Sequence, residues 1–236
     1  EGSEAQSAYG LRGTGKLPFA EDEILAVAGL LNGTCWLNKR ATRANFLQNA
    51  GKYGILHLAM HGFVDNRDPL RSRLLFSKSV AEDDPFVYAS DLYNLQLSAG
   101  LTVLSACQSG TGSWQHGEGV MSLARAFAFA GCPSLVMSLW NVSDRPSAEL
   151  MVAFYRHLEA GKTKDEALRA AKLEYLQSTT SEYAKPVYWA GFVPVGDMEA
   201  MPASCFFGSR WSWVWLACGI LAILNILWAV FRRFRR

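Results

Sequence analysis

No two cysteines in this sequence stand at zinc-ligand spacing, and nothing in their placement marks a small disulfide scaffold. The five, Cys35, Cys107, Cys132, Cys205 and Cys218, are odd in number and scattered. At least one thiol is expected to be free. Long runs of like charge are missing, and four arginines, Arg232, Arg233, Arg235 and Arg236, close the chain. The formal charge is +2, so the chain without that tail carries a formal −2, and no basic face for nucleic acid is predicted. Internal repeats and low-complexity tracts are lacking as well. Neither an initiating methionine nor a secretory signal opens the chain. EGSEAQSAYGLRGTG reads as a linker or cut site, which predicts a linker over residues 1–17 and a longer parent protein.

What the sequence does have is one long apolar run. From Trp211 to Phe231, WSWVWLACGILAILNILWAVF carries no charge, and as a helix rising about 1.5 Å per residue it would extend about 31 Å, a bilayer's hydrocarbon thickness. Trp211, Trp213 and Trp215 at one end and Trp228 near the other have the pattern of an aromatic belt. A single transmembrane helix over 211–231 is therefore expected, between a juxtamembrane linker over 198–210 and a basic tail over 232–236, with the lipid bilayer as a partner. An arginine tail held in the cytoplasm would leave the preceding domain across the membrane, whereas a tail-anchored arrangement would keep that domain inside. Both orientations stay open.

Upstream, apolar runs of strand length alternate with amphipathic segments. YGILHLAM, LTVLSA and SLVMSLW read as buried strands, with RLLFS, TCWL and the proline-weakened GFVPVG as shorter candidates. AEDEILAVAGLLNG, stopped by Gly33, TRANFLQNAGK with Thr42 as N-cap, GEGVMSLARAFAFAG ending near Gly131, PSAELMVAFYRHLEAG and TKDEALRAAKLEYLQ read as helices; SDLYNLQL predicts a short one. Thr163 and Glu166 have capping-box spacing. Strands joined through helices need crossovers, so an α/β domain with a mostly parallel sheet covered on both faces is predicted.

Two histidines interrupt the run ILHLAMHGF. On a helix, His57 and His61 would share a face and could share a metal; in a strand, four residues span about 13 Å, too far for one ion with bonds near 2 Å. Leu58 also stands where a metalloprotease base would be. His57 reads as a core histidine. His61 ends its strand, and Gly62 begins a loop, at the sheet edge where α/β proteins bind ligands. Cys107 ends LTVLSA in the same way and is followed by small residues. If the two strands are neighbours, the imidazole can take the thiol's proton and make it a nucleophile, and glycine-flanked N–H groups can hold an oxyanion. A small buried hydrophobe and a loop histidine fit the same spacing equally well.

HLAMHGF, LSACQSGTG, GEGVMSLARAFAFAGCPSLVMSLWNVSD, FYRHLEAGKTKDEALRAAKLEYL and YWAGFVPVGD resemble, in that order, the CHAT family, a branch of the caspase-like cysteine peptidases often found behind tetratricopeptide repeats. The resemblance covers residues 18–197. It implies a caspase-like three-layer α/β sandwich, a catalytic dyad of His61 and Cys107, an oxyanion site formed by the N–H groups of Gly62 and Cys107, a protein or peptide substrate, an upstream repeat region, and no metal or cofactor. LWNVSD looks like the segment that carries an acidic contact to a basic P1 side chain in the related separases, which makes Asp144, with Trp140 beside it, a substrate-binding candidate. Asp144 also stands where an N-cap is expected, just before Pro146, and both readings stay open. His116 and His157 read as a solvated loop residue and a structural one, and Cys132 as packing. A rival from another class is a catalytically silent signalling or docking module on the same fold.

Overall fold

The structure is a computed structural model that describes residues 19–65, 67–79, 84–105, 118–140, 142 and 144–206. The chain divides into two units, Glu1–Met201 and Pro202–Arg236. In the second, only residues 202–206 are described, with a 3-10 turn at Ala203–Cys205. Among the described residues no helix is long and apolar enough to cross a membrane. The predicted span over 211–231 lies outside them.

The first unit is a mixed α/β domain built on a four-stranded sheet. β1 (Ile55–Leu58) and β6 (Ser134–Ser138) flank β5 (Leu101–Leu104) in parallel, and β7 (Phe192–Gly196) runs antiparallel along the far edge of β6. Every residue of β5 and β6 is buried, as expected of parallel strands covered on both faces. The faces separate by parity. Leu56, Leu58, Leu104, Leu135 and Met137 join one core with Phe46 of helix α2 (Arg43–Asn49), Leu92 of the short helix α3 (Ala89–Leu92), and Leu123 and Phe127 of helix α4 (Glu118–Phe129). On the other face His57 reaches helices α1 (Ala20–Leu31) and α5 (Asp144–Glu159), and helix α6 (Lys164–Ser178) packs on α5. Burying a large apolar side chain contributes about 1.5–3 kcal/mol, so Phe127, Phe154 and Leu150, all fully buried, are principal anchors of these two cores.

Helix ends follow local chemistry. Thr42 Oγ1 accepts from the Asn45 N–H at 3.2 Å and caps α2. At the end of α4, Cys132 N–H donates to the Phe127 carbonyl and Gly131 N–H to that of Ala128, with Gly131 at φ +106°. Only glycine suits this turn, since a Cβ there would also stand 2.8 Å from the Leu97 carbonyl oxygen.

Four expectations need correction. RLLFS holds the strand expected of it, β3 (Arg73–Leu75), but its antiparallel partners β2 (Gly62–Phe63) and β4 (Phe86–Tyr88), and so the second sheet, were not predicted, because strands of two or three residues carry almost no periodic signal. Gly62 accordingly opens a strand, not a loop. TCWL forms no strand: it has no ladder partner among the described residues, and Trp36 instead packs edge-on against Tyr53 at 5.5 Å. α1 is stopped by Asn32, at φ 50°, rather than by Gly33, and Thr163 makes no cap because its hydroxyl donates to Asp165 Oδ1 at 2.7 Å.

Candidate active site

Parallel pairing fixes the level at which two neighbouring strands end. Leu58 partners Leu104, and the Ser105 N–H continues the ladder by donating to the Leu58 carbonyl at 3.1 Å. Beyond Leu58 the chain passes through Ala59 and Met60 to His61, which is 9 % exposed, with its Nδ1 shielded from solvent. The His61 carbonyl accepts from the Leu75 N–H at 2.9 Å, so β3 holds the histidine's backbone where the two sheets meet. In an antiparallel ladder such a bonded pair is followed by a non-bonded one. Gly62 opposite Leu74 is that pair, and its N–H therefore points away from β3. Cys107 lies outside the described residues, as does His116.

On the neighbouring strand end, Ser138 Oγ donates to the Trp140 carbonyl, and Trp140 Nε1 donates to the Val187 carbonyl at 2.9 Å. Gly191 lies beneath the indole: a Cβ there would stand 2.9 Å from Trp140 Cε2 and 3.0 Å from Ser138 Oγ. With its N–H engaged, Trp140 can offer a ligand its ring, not its donor. Asp144 is the first residue of α5, and its side chain is outside the described set.

His57 belongs to a different constellation. Its Nδ1 lies 3.1 Å from the Tyr155 hydroxyl and its Nε2 3.0 Å from Glu23 Oε1. Glu23 is 3 % exposed and Tyr155 fully buried. Burial first, and then the Glu23 charge, push the phenol of Tyr155 well above its ordinary pKa. With Nδ1 at hydrogen-bond distance from Tyr155 and Nε2 at ion-pair distance from Glu23, His57 is the core residue the apolar run predicts, tying β1 to α1 and α5. Glu23 and Tyr155 were missed in the sequence, although the i, i+4 spacing of Glu23 with buried Val27 places the glutamate on the inner face of α1. Among the described residues no cluster of His, Cys, Asp and Glu is placed to share a metal ion.

Cys132 is sealed in the core, its Sγ 3.2 Å from Thr102 Oγ1 and donating to the Ser134 carbonyl at 3.2 Å. Burial raises its pKa above the ordinary thiol value and keeps it protonated. His157 shares Glu174 with Arg156 on the outer helices, 3.2 Å from Oε2, a structural pairing.

The CHAT domain profile matches residues 4–197, most of the chain. The chain belongs to the CHAT domain family. Similar proteins include tetratricopeptide repeat protein 28 of Homo sapiens, 36 % identical over 227 residues, and its counterpart from Mus musculus, 27 % identical over 227 residues. Each comparison covers 82 % of this chain, and the chain spans only 9 % of the length of either relative.

Proposed function

We propose that this CHAT domain is a membrane-anchored cysteine endopeptidase of caspase-like fold, with His61 and Cys107 as its dyad. One observation carries the reading. Leu58 and Leu104 are level across the ladder, and His61 and Cys107 each follow their leucine by three residues, so the two chains leave the sheet side by side at one rim. The buried His61 and the outward N–H of Gly62 supply what the reaction needs beside a thiol.

The Cys107 sulfur, its proton taken by His61, attacks the scissile carbonyl carbon. The C–S bond forms as the carbonyl oxygen takes the negative charge, which the N–H groups of Gly62 and Cys107 hold. Collapse of the adduct breaks the C–N bond, and His61 gives its proton to the departing amine. Water, deprotonated by His61, then attacks the thioester, and the carboxylic acid leaves as Cys107 regains its proton. No metal or cofactor takes part in these steps.

Asp144 selects a basic P1 side chain in this scheme, with the Trp140 ring as an adjoining wall. A carboxylate facing guanidinium gives a bidentate, charge-assisted contact. The anchor is the apolar segment over 211–231, and a tetratricopeptide-repeat region, as in the name of the relatives, stands upstream in the full protein. Peptide-library profiling tests the substrate assignment: cleavage after Arg or Lys, lost in Asp144→Ala, is expected. Cleavage indifferent to that substitution would reduce Asp144 to a helix cap.

A further inference from the structure

The short sheet of β2, β3 and β4 brings more to His61 than a backbone bond. Gly62 stands opposite Leu74 and Phe63 opposite Arg73, and the Leu75 N–H bonded to the His61 carbonyl carries that register one step back, setting His61 opposite Leu75. Side chains alternate along a strand, so His61, Phe63, Arg73 and Leu75 share one face, and the β3–β4 register adds Phe86 and Tyr88 to it. Leu74 and Val87 turn the other way, into the core. On the shared face Arg73 is diagonal to His61, a separation of about 7–8 Å, or about two residues of extended chain.

Arg73 stands there with its charge unpaired. Its guanidinium carbon lies 4.7 Å from the Phe86 ring centroid and 5.5 Å from that of Phe63, and the two rings meet edge-on at 5.9 Å, so aromatic side chains hold the group in place. Among the described residues no carboxylate forms an ion pair with it, and its Nε is shielded from solvent without a hydrogen-bond partner. The acids of the adjoining loops are turned to backbone instead. Asp65 Oδ1 accepts from the Arg67 and Asp68 N–H groups at 2.9 and 3.0 Å, and Asp84 Oδ1 from the Phe86 N–H at 3.0 Å.

We infer that Arg73 selects an acidic side chain, Asp or Glu, within the first two residues on the leaving side of the scissile bond. This rests on the peptidase reading given above and deepens it. Across the sheet the order β6, β5, β1 sets in line the strand end that leads to Trp140 and Asp144, the one that leads to Cys107, and the one that leads to His61. With P1 held at the β6 end and the acyl group on Cys107, the amine protonated by His61 departs on the β1 side. The peptide beyond the cut therefore runs onto the face that Arg73 shares with His61. Aromatic contact uses the flat side of a guanidinium and leaves its N–H edge for bidentate bonding to a carboxylate. The substrate class is a segment in which a basic residue is followed, across the cut, by an acidic one.

The test uses the 236-residue chain and quenched fluorescent peptides of one sequence, with Arg at P1 and Glu, Gln or Lys at each of the two positions after the cut. At one of these positions Glu is expected to raise kcat/KM about tenfold or more over Gln, an advantage that shrinks with added salt. Arg73→Gln should level Glu with Gln, Arg73→Lys should keep part of the preference, and Arg73→Glu should turn it towards Lys. Each variant should still cut the Gln peptide, which shows that it folds. Equal cleavage of the Glu and Gln peptides by the parent chain overturns the assignment whatever the variants do, and so does a Glu preference that survives Arg73→Gln. If no peptide is cut and Cys107 takes no acyl probe, the peptidase reading fails first and this subsite with it.

Discussion

Leu58 and Leu104 are partners across the parallel ladder of β1 and β5, and the Ser105 N–H, one residue on, bonds back to the Leu58 carbonyl at 3.1 Å. Everything downstream of that pair inherits its level. A histidine and a cysteine forty-six positions apart in the chain thereby follow adjacent strand ends at equal offsets. The sheet register fixes the level at which both strands end.

The buried Glu23, His57 and Tyr155 should behave as one network. Glu23→Ala strips a partner from a buried imidazole, a loss of about 1–3 kcal/mol. In a domain of this size that lowers the melting temperature by about 2–12 °C. Tyr155→Phe keeps the ring and should lose about 1 kcal/mol. Thermal denaturation of the single and double variants checks the coupling: less than additive losses are expected, and strict additivity would dissolve the network.

Gly191→Ala sets a methyl against the Trp140 ring and the Ser138 hydroxyl. Neither neighbour is the free end of a flexible chain, so a loss of about 1–3 kcal/mol in urea denaturation is expected. A variant as stable as the parent would show that the indole can move aside.

Cys132 should resist alkylation. Its thiol is fully buried and held protonated, whereas Cys35 and Cys205 are partly exposed. Timed iodoacetamide labelling read by mass spectrometry should find Cys132 modified last, and only on unfolding. Early labelling would contradict a core role.

Acid should reveal the outer helix pairing. Arg156, and then His157, hold the Glu174 carboxyl below the usual carboxylate value. A group lowered in this way stabilises the fold above its unfolded pKa and loses that contribution as the pH falls through its folded one. The deficit of Glu174→Gln in denaturant melts should therefore be present at about pH 6 and gone by about pH 2.5. Both partners of the Arg156–Glu174 pair are about half exposed, so solvent screening keeps the deficit below about 1 kcal/mol. An undiminished deficit at low pH would show that another effect causes it.

The fold was legible where the signal was long. LTVLSA and SLVMSLW are continuous apolar runs and became the two fully buried strands, while Gly131 marked the end of α4 before its two closing hydrogen bonds were seen. The proline in GFVPVG lowered expectation for β7, yet Pro194 sits on an edge strand, where a missing N–H is tolerated. Short pieces were opaque. β2 and β4 hold two and three residues and depend on tertiary contacts, such as Phe86 with Arg73, whose guanidinium lies 4.7 Å from the ring centroid; of that sheet only β3 was foreseen, in RLLFS. Of the site, sequence marked His61 at a strand end, and only the register could say which strand stands beside it. Glu23 was hidden because acidic residues in a first turn already have a reason to be there.

The most direct test is covalent. A peptide acyl-fluoromethyl ketone or similar thiol-directed substrate analogue, given to the 236-residue chain and followed by mass spectrometry, should modify Cys107 faster than any other cysteine. His61→Ala should slow that labelling by about a hundredfold or more, and Cys107→Ala should leave a folded protein with no peptide cleavage. Labelling of Cys107 no faster than of Cys35, unchanged by His61→Ala, would contradict the dyad and leave a CHAT domain that docks without cutting.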